Sequence, residues 1–372
     1  MKHFFKNDHM KELSLKINQA LLMPVLVTVV LYFGRPVLIP FFFAILLAML
    51  MAPVCRFLDR KGLIRAVSCT ICIVILLVFF LSLISIIVMQ VSDFLIDLNK
   101  INAKLNEILI SVKHHIESWF NISLQQQDIL IEKQVREIRD SSVFRIDRIA
   151  GNVTGIIIQL ALILVFTFLL LYHKEKYERF FLKLYGEKDR SEVSEVLNQI
   201  THVSQQYLVG RILSMIFLFI LYAIALLVIG IKNALLLSAI ASLLTIVPYI
   251  GPIVGGLFPF MTAVVTENTV QPAIWVLVTL VIIQAIDNYF VEPNVIGGEV
   301  RLTALSTILS IFIGGILWGI AGMVLFIPML GILKIVFDHV EKLKPYGYVL
   351  GDEGKSPSSK IREWFGKRKQ EK

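Results

Sequence analysis

The sequence predicts an all-α, polytopic helical membrane protein with about eight transmembrane passes. The 372-residue chain is 56% hydrophobic and only 17% charged, whereas about a quarter of the residues in soluble domains are charged. Several apolar stretches approach or exceed the roughly 20 residues that a helix needs to cross a bilayer. They lack the strict apolar and polar alternation of porin-like barrels, so we expect the spans to be helices.

Eight apolar runs follow one another along the chain and define the predicted passes. They fall near residues 17–33, 37–54, 66–92, 151–172, 212–230, 234–265, 273–291 and 302–333. The first two runs are short and are joined by Gly34, Arg35 and Pro36, so they form either a hairpin of two spans or a re-entrant pair. Both alternatives return the chain to the side of the membrane on which it began.

Basic residues flank this first pair of runs on both sides. They are Lys2, Lys6, Lys11 and Lys16 before the pair, and Arg56, Arg60, Lys61 and Arg65 after it. Because cytoplasmic loops carry an excess of Lys and Arg, both flanks are predicted to be cytoplasmic. The third run then crosses outward, the fourth returns, and the loop that follows is again rich in basic residues. We therefore expect both termini in the cytoplasm.

This topology divides the chain into four regions. Residues 1–92 form an N-terminal cytoplasmic arm with the first three passes, and residues 93–150 form an extracytoplasmic subdomain whose apolar residues have helical spacing. Residues 151–340 form the transmembrane transport core, with a cytoplasmic loop at 173–211. Residues 341–372 form a basic cytoplasmic tail, which is either an interfacial helix on anionic lipid or a solvated tail.

The net charge of +8 does not indicate a nucleic-acid partner. The chain is poor in charged residues overall, and its basic residues flank apolar spans, which fits orientation against anionic lipid better. We therefore expect the lipid bilayer, and not nucleic acid, to be the partner of these residues.

Two of the apolar runs, 234–265 and 302–333, are too long to be single straight spans. Each would measure about 48 Å as one helix, against a hydrocarbon core of roughly 30 Å. Both are broken by glycine and proline, as in "TIVPYIGPIVGGLFPF" at residues 245–260. Each run is either a long kinked span or a helical hairpin that enters and leaves the membrane on one side.

A polar stripe lies between the two broken runs, in "IIQAIDNYFVEPNVIGGEVR" at residues 282–301. Gln284, Asp287 and Asn288 have the spacing i, i+3, i+4, and Glu292 follows one turn after Asn288, which places all four on one side of a helix. Asp287 is the acid best placed within an apolar span, and such carboxylates line a cavity or pair with a partner. The alternative is that the stripe only holds helices together.

Irregular backbone at membrane depth is tolerated where it is buried in protein or faces a water-filled cavity. Secondary transporters expose half-helix ends to solute in this way. We therefore predict a solute or ion site formed by the polar stripe and the first broken run, with the following residues: Gln284, Asp287, Asn288, Thr245, Pro248, Gly251, Pro252 and Gly255. The alternative is that the glycines are close-packing surfaces between helices.

The sequence lacks the motifs of several enzyme classes. It has no Walker A phosphate loop and no His-Glu-x-x-His pair, so neither ATP hydrolysis by that route nor zinc-dependent proteolysis is predicted. Cys55, Cys69 and Cys72 lack further partners for a metal site and are interpreted as small packing residues. We expect no enzymatic activity, no cofactor and no bound metal.

The motifs of the C-terminal half resemble those of a known family. The stretches "YLVGRILSMIF", "IGIKNALLLSAIASLLTIVPYIGPIVGG", "DNYFVEPNVIGG" and "GGILWGIAGMVLFIPMLGILKIVFD" are similar to the AI-2E family, the autoinducer-2 exporter family, over roughly residues 15–345. The resemblance implies a bacterial inner-membrane permease-like protein. Some members are linked to export of the quorum-sensing signal autoinducer-2, and others resemble sodium/proton antiporters. One departure is Arg211, where the family more often has glutamine.

Three functional hypotheses follow. The first is a secondary or facilitative exporter of a small polar solute of the autoinducer-2 kind, in which Asp287 is the coupling carboxylate and amides freed between Pro248 and Gly256 contact the solute. The second is a sodium(lithium)/proton antiporter that uses the same acid. The third is a non-transporting membrane scaffold whose external residues 93–150 recruit a partner. A homo-oligomer is compatible with all three.

Overall fold

A computed structural model describes residues 22–82, 84–85, 153–184, 190–266, 271–296 and 302–352. These residues are almost entirely helical, and their one β-type contact is an isolated antiparallel bridge between Leu302 and Gly351. The prediction of an all-α fold is confirmed. The predicted external subdomain at 93–150 and the basic tail from residue 353 onward lie outside the described residues.

Eleven helices follow one another in the described part of the chain. They are α1 (Leu22–Phe33), α2 (Arg35–Arg60), α3 (Arg65–Ser82), α4 (Val153–Tyr172), α5 (Lys174–Leu184), α6 (Arg190–Ile229), α7 (Ala234–Leu244), α8 (Ile250–Thr266), α9 (Gln271–Ile286), α10 (Ala304–His339) and α11 (Lys344–Leu350). A π-helical segment, Asp287–Ile296, continues α9 without a break.

Six of these helices are long and apolar enough to cross a membrane: α2, α3, α4, α6, α9 with the start of the π-helical segment, and α10. Helix α4, for example, contains no charged residue over its 20 positions, as a helix that faces lipid on most sides requires. Three shorter apolar helices, α1, α7 and α8, accompany them. The chain is therefore a multi-pass helical membrane protein, as predicted.

The first broken run, 234–265, is a helical hairpin and not a kinked span. Gly251 on α8 lies against the carbonyl group of Leu244 on α7, and Gly255, one turn later, lies against Ala241, one turn earlier. Contacts that advance on one helix and retreat on the other define antiparallel arms. The 11 residues of α7 and 17 residues of α8 correspond to about 16 and 26 Å, so neither arm alone matches the roughly 30 Å of a hydrocarbon core.

The second broken run also folds back on itself. Gly319 interrupts α10 with φ 62° and ψ −142°, a conformation that glycine adopts without a steric penalty. A Cβ added to Gly314 would collide with the carbonyl group of Gly322, although residues eight apart on a continuous helix are separated by about 12 Å. The chain therefore reverses near Gly319, and the run contains a second hairpin.

The chain packs as two compact units, whose boundaries fall after Pro53 in α2, after Leu164 in α4 and after Gln205 in α6. The first unit contains α1, most of α2, α5, the start of α6, and α10 and α11. Its core includes Ile200 and Val203 of α6 against Ile335 of α10. The second unit contains α3, the rest of α6, α7, α8, α9 and the π-helical segment. Its core forms around Leu226, Leu237, Ala263 and Val276.

The junction of α1 and α2 lies in the first unit. The amide of Gly34 donates to the carbonyl oxygen of Val30 at 2.8 Å, and its carbonyl oxygen accepts from the amide of Leu38 at 2.9 Å, so one helix ends and the next begins at this residue. The indole N–H of Trp318, next to the reversal in α10, donates to the carbonyl oxygen of Leu31 at 2.8 Å. This bond attaches the second hairpin to the end of α1.

Candidate functional site

The candidate site lies in the second unit, where one face of α6 packs against α9. Arg211, Ser214, Leu218 and Tyr222 recur at intervals of three and four residues, which places them on one side of the helix. All four are buried. Leu218 and Tyr222 belong to a core cluster that also contains Ile283 of α9. The polar positions on this face therefore lie toward the end of α9.

Asp287 meets this face of α6 one turn after Ile283. Only 4% of the residue is exposed, and its Oδ1 accepts a hydrogen bond from the hydroxyl of Ser214 at 3.2 Å. The guanidinium of Arg211, one turn before Ser214, attracts the carboxylate electrostatically. The structure therefore buries a carboxyl group that accepts from a hydroxyl, within electrostatic range of a guanidinium, inside a bundle of apolar helices.

Arg211 is only partly engaged by the protein. The residue is 8% exposed, and its Nε is buried without a hydrogen-bond partner among the described residues. A buried charge is costly unless an opposite charge compensates it, and removing one member of such a pair leaves the other uncompensated. The charge of Asp287 therefore offsets part of the cost of burying Arg211, while the guanidinium keeps an unused donor.

The predicted polar stripe is divided between two surroundings. Asp287 is buried against α6, whereas Asn288 is exposed and its Oδ1 accepts from Nε2 of Gln284 at 3.0 Å. Positions 287 and 288 are consecutive at the start of the π-helical segment, so their side chains point in different directions and the two edges of the stripe face different neighbours. The structure does not bring the three side chains into one cluster.

The predicted site residues of the first hairpin have their backbone groups satisfied within it. The hydroxyl of the fully buried Thr245 donates to the carbonyl oxygen of Ser242. The amides that follow α7 also donate locally: Thr245 to Ser242, Ile246 to Leu243, Val247 to Leu244, and Gly251 to Val247. These amides are therefore not free donors for a solute in this conformation.

The glycines of the hairpin allow its two arms to pack closely, and two prolines lie beside them. Gly251 and Gly255 are buried against the backbone of α7, and Pro248 and Pro252 are half-buried beside them. A Cβ at Gly255 would lie 2.8 Å from the carbonyl oxygen of Ala241, closer than real Cβ contacts. Close packing accounts for both glycines, as the alternative interpretation expected.

The turn of this hairpin contains a strained residue. Tyr249 has φ 64°, and the amide of Ile250 donates to the carbonyl oxygen of Pro248 at 2.7 Å across it. This three-residue turn with a positive central φ is rare and strained for a residue other than glycine. The Tyr249 side chain is exposed, so its packing does not explain the choice of residue.

Sequence reasoning identified Asp287 but missed its partners. Ser214 was not predicted as a site residue, and Arg211 was noticed only as a departure from the family pattern. The available signal was the spacing of Arg211 and Ser214 on one face of an apolar span. Within the described residues, no cluster of three or more His, Cys, Asp or Glu side chains could hold a metal ion.

Comparison with known proteins identifies relatives along most of the chain. A sequence model described as AI-2E family transporter matches residues 21–342. "Putative transport protein YrrI" of Bacillus subtilis (strain 168) is 24% identical over 323 residues, which cover 83% of this chain and 88% of the relative. "Putative transport protein YhhT" of Escherichia coli (strain K12) is 22% identical over 315 residues, which cover 85% and 88%. The similarity therefore includes the helices that carry Arg211, Ser214 and Asp287.

Proposed function

The chain belongs to the AI-2E family of transporters, and we propose that it exports a small polar solute by a secondary or facilitative mechanism coupled through Asp287. Membership in the family and the apolar helices make it a multi-pass membrane transporter. The observation that supports the finer proposal is the burial of Asp287 beside Ser214, with the charge of Arg211 near enough to act on the carboxylate. Ionisable residues inside membrane helices are costly and mark substrate or proton pathways.

Arg211 and Asp287 together supply a coupling element because their charge balance has two states. When Asp287 is ionised, Arg211 compensates it. When a proton binds to Asp287, Arg211 becomes an uncompensated cation, which favours a different arrangement of α6 against α9. A ligand that binds one of these states better shifts the equilibrium between them. In this way binding of a proton and binding of a solute are linked.

A proton fits this site better than a sodium ion. Sodium would bind the oxygens of Asp287 and Ser214, but the guanidinium of Arg211 repels a second cation beside the same carboxylate.

The proposed solute is of the autoinducer-2 kind, as the family resemblance implies. The proposed location is the inner membrane of a bacterium with both termini in the cytoplasm, which reporter fusions to each terminus would test.

Transport by the purified protein in proteoliposomes tests the proposal. Autoinducer-2 movement and internal pH are recorded together, with and without a sodium gradient, for the natural chain and for Asp287→Asn. Asp338→Asn is the matched control, because it removes a carboxylate from an ion pair with Lys334 in the other unit. The proposal predicts solute flux that depends on the pH gradient in the natural chain and in the control, but not in Asp287→Asn.

The two alternatives predict different results in the same experiment. A sodium/proton antiporter moves protons in response to sodium alone, without any solute. A membrane scaffold moves neither, and deletion of residues 100–145 would abolish its cellular role while Asp287→Asn would leave it intact. Sodium-driven proton movement without solute flux would replace the exporter with the antiporter.

A further inference from the structure

Helix α5 presents an apolar face that nothing in the described part of the chain covers. Tyr177, Phe180, Phe181 and Leu184 have the spacing i, i+3, i+4, i+7, which places them on one side of the helix. The exposed fractions of these four residues range from 43% to 65%, and no residue of α5 is buried. We call these four residues the apolar face of α5.

Lysine residues border this face on both edges. At about 100° per residue, Lys174 and Glu178 fall on one edge, Lys176 and Lys183 fall on the other, and Arg179 falls on the opposite side of the helix. Arg179 forms an exposed ion pair with Glu175 at 3.7 Å. Lysine side chains at such edges can place their stems along apolar surface while the ammonium groups remain in the polar layer.

The position of α5 in the chain brings this face to the membrane boundary. Helix α4, which is apolar enough to span a membrane, ends at Tyr172, and α5 begins at Lys174. The amide of His173 donates to Leu169 at 3.0 Å, and its carbonyl oxygen accepts from Lys176 at 2.9 Å, so the two helices are joined without a loop. The start of α5 must therefore lie close to the end of a span.

We propose that α5 is an interfacial helix that binds the anionic phospholipid surface, with its apolar face among the upper acyl chains and its lysines on the headgroups. A helix with an aromatic apolar face and basic edges is suited to this layer. Phe180 and Phe181 contact each other edge to face with ring centroids 5.5 Å apart. Each lysine near an anionic surface increases binding by about fivefold.

Spin labels on the full-length protein in vesicles test this placement. A label is attached to a cysteine at Phe180 or, as the matched control, at Arg179 on the opposite side. The native Cys55, Cys69 and Cys72 are buried, and the chain without an added cysteine measures their background. Accessibility to oxygen, which concentrates in lipid, and to a water-soluble nickel complex is recorded in phosphatidylethanolamine vesicles with and without phosphatidylglycerol.

The proposal predicts an oxygen-to-nickel accessibility ratio at position 180 that is several-fold higher than that at position 179, and that rises when phosphatidylglycerol is present. Lys176→Gln with Lys183→Gln should remove the dependence on phosphatidylglycerol. Arg179→Gln removes a positive charge from the side of α5 opposite its apolar face. With the label at position 180, this variant should keep the dependence on phosphatidylglycerol. Equal nickel accessibility at 180 and 179 would show a solvated helix, and protection of 180 from both reagents would show a protein contact. Either result, or a ratio indifferent to phosphatidylglycerol, overturns the proposal.

Discussion

Replacement of Asp287 by asparagine should destabilise the protein because it leaves Arg211 without its compensating charge. Asparagine preserves the size of the side chain and can still accept from Ser214, so the change isolates the charge. Both Asp287 and Arg211 are more than nine-tenths buried, and leaving a buried charge without the opposite charge that acts on it costs about 1–3 kcal/mol. We expect a clearly lower thermal transition for the variant in detergent.

A second variant separates this charge effect from general damage. Arg211→Gln combined with Asp287→Asn removes both charges and leaves two neutral amides, so most of the lost stability should return. The interaction free energy calculated from the natural chain, the two single variants and the double variant should be at least about 1 kcal/mol, within the range found for coupled residues. The measurement is denaturant or thermal unfolding of all four proteins under identical conditions.

The double variant also distinguishes stability from transport. It should be folded and stable, yet its solute flux should not depend on the pH gradient, because it has no carboxylate at position 287. If Asp287→Asn proved as stable as the natural chain, or if the double variant were less stable than either single variant, the reasoning from paired charges would be refuted.

Three further predictions concern the hairpins. Gly255→Leu should abolish folding and flux, because the leucine side chain would collide with the backbone of Ala241. Size-exclusion profiles measure folding and proteoliposome assays measure flux. Normal flux would contradict the close packing of the two arms at Gly255. Tyr249→Gly should raise the thermal transition temperature, because it relieves about 1–3 kcal/mol of backbone strain, partly offset by the greater conformational freedom of glycine in the unfolded chain. Tyr249→Ala keeps the strain and should not raise the transition temperature. Trp318→Phe should lower the free energy of unfolding by about 1 kcal/mol, because the indole hydrogen bond to Leu31 is lost. Denaturant unfolding measures this change. An unchanged free energy of unfolding would show that the hydrogen bond contributes nothing to stability.

The sequence predicted the helices well because a span needs little more than a long apolar run. It left the form of the two broken runs open, since glycine and proline suit a kink and a hairpin equally. The deciding contacts, Gly255 with Ala241 and Gly314 with Gly322, depend on how the arms meet. No local pattern contains that information.

The candidate site was predicted only in part for a related reason. Asp287 was identifiable because a carboxylate in an apolar span is costly wherever it packs. Its partner Ser214 lies 73 residues earlier, and serine in a membrane helix is too common to be informative alone. The separation of Asp287 from Asn288 depends on which edge of α9 faces α6, which the spacing does not determine.

The measurement that tests the central claim most directly is autoinducer-2 flux driven by a pH gradient in proteoliposomes, compared between the natural chain and Asp287→Asn at equal reconstitution. We predict that a pH gradient accelerates flux in the natural chain and has no effect on the variant, while Asp338→Asn behaves like the natural chain. Equal acceleration in the natural chain and Asp287→Asn would contradict the assignment of Asp287 as the coupling carboxylate.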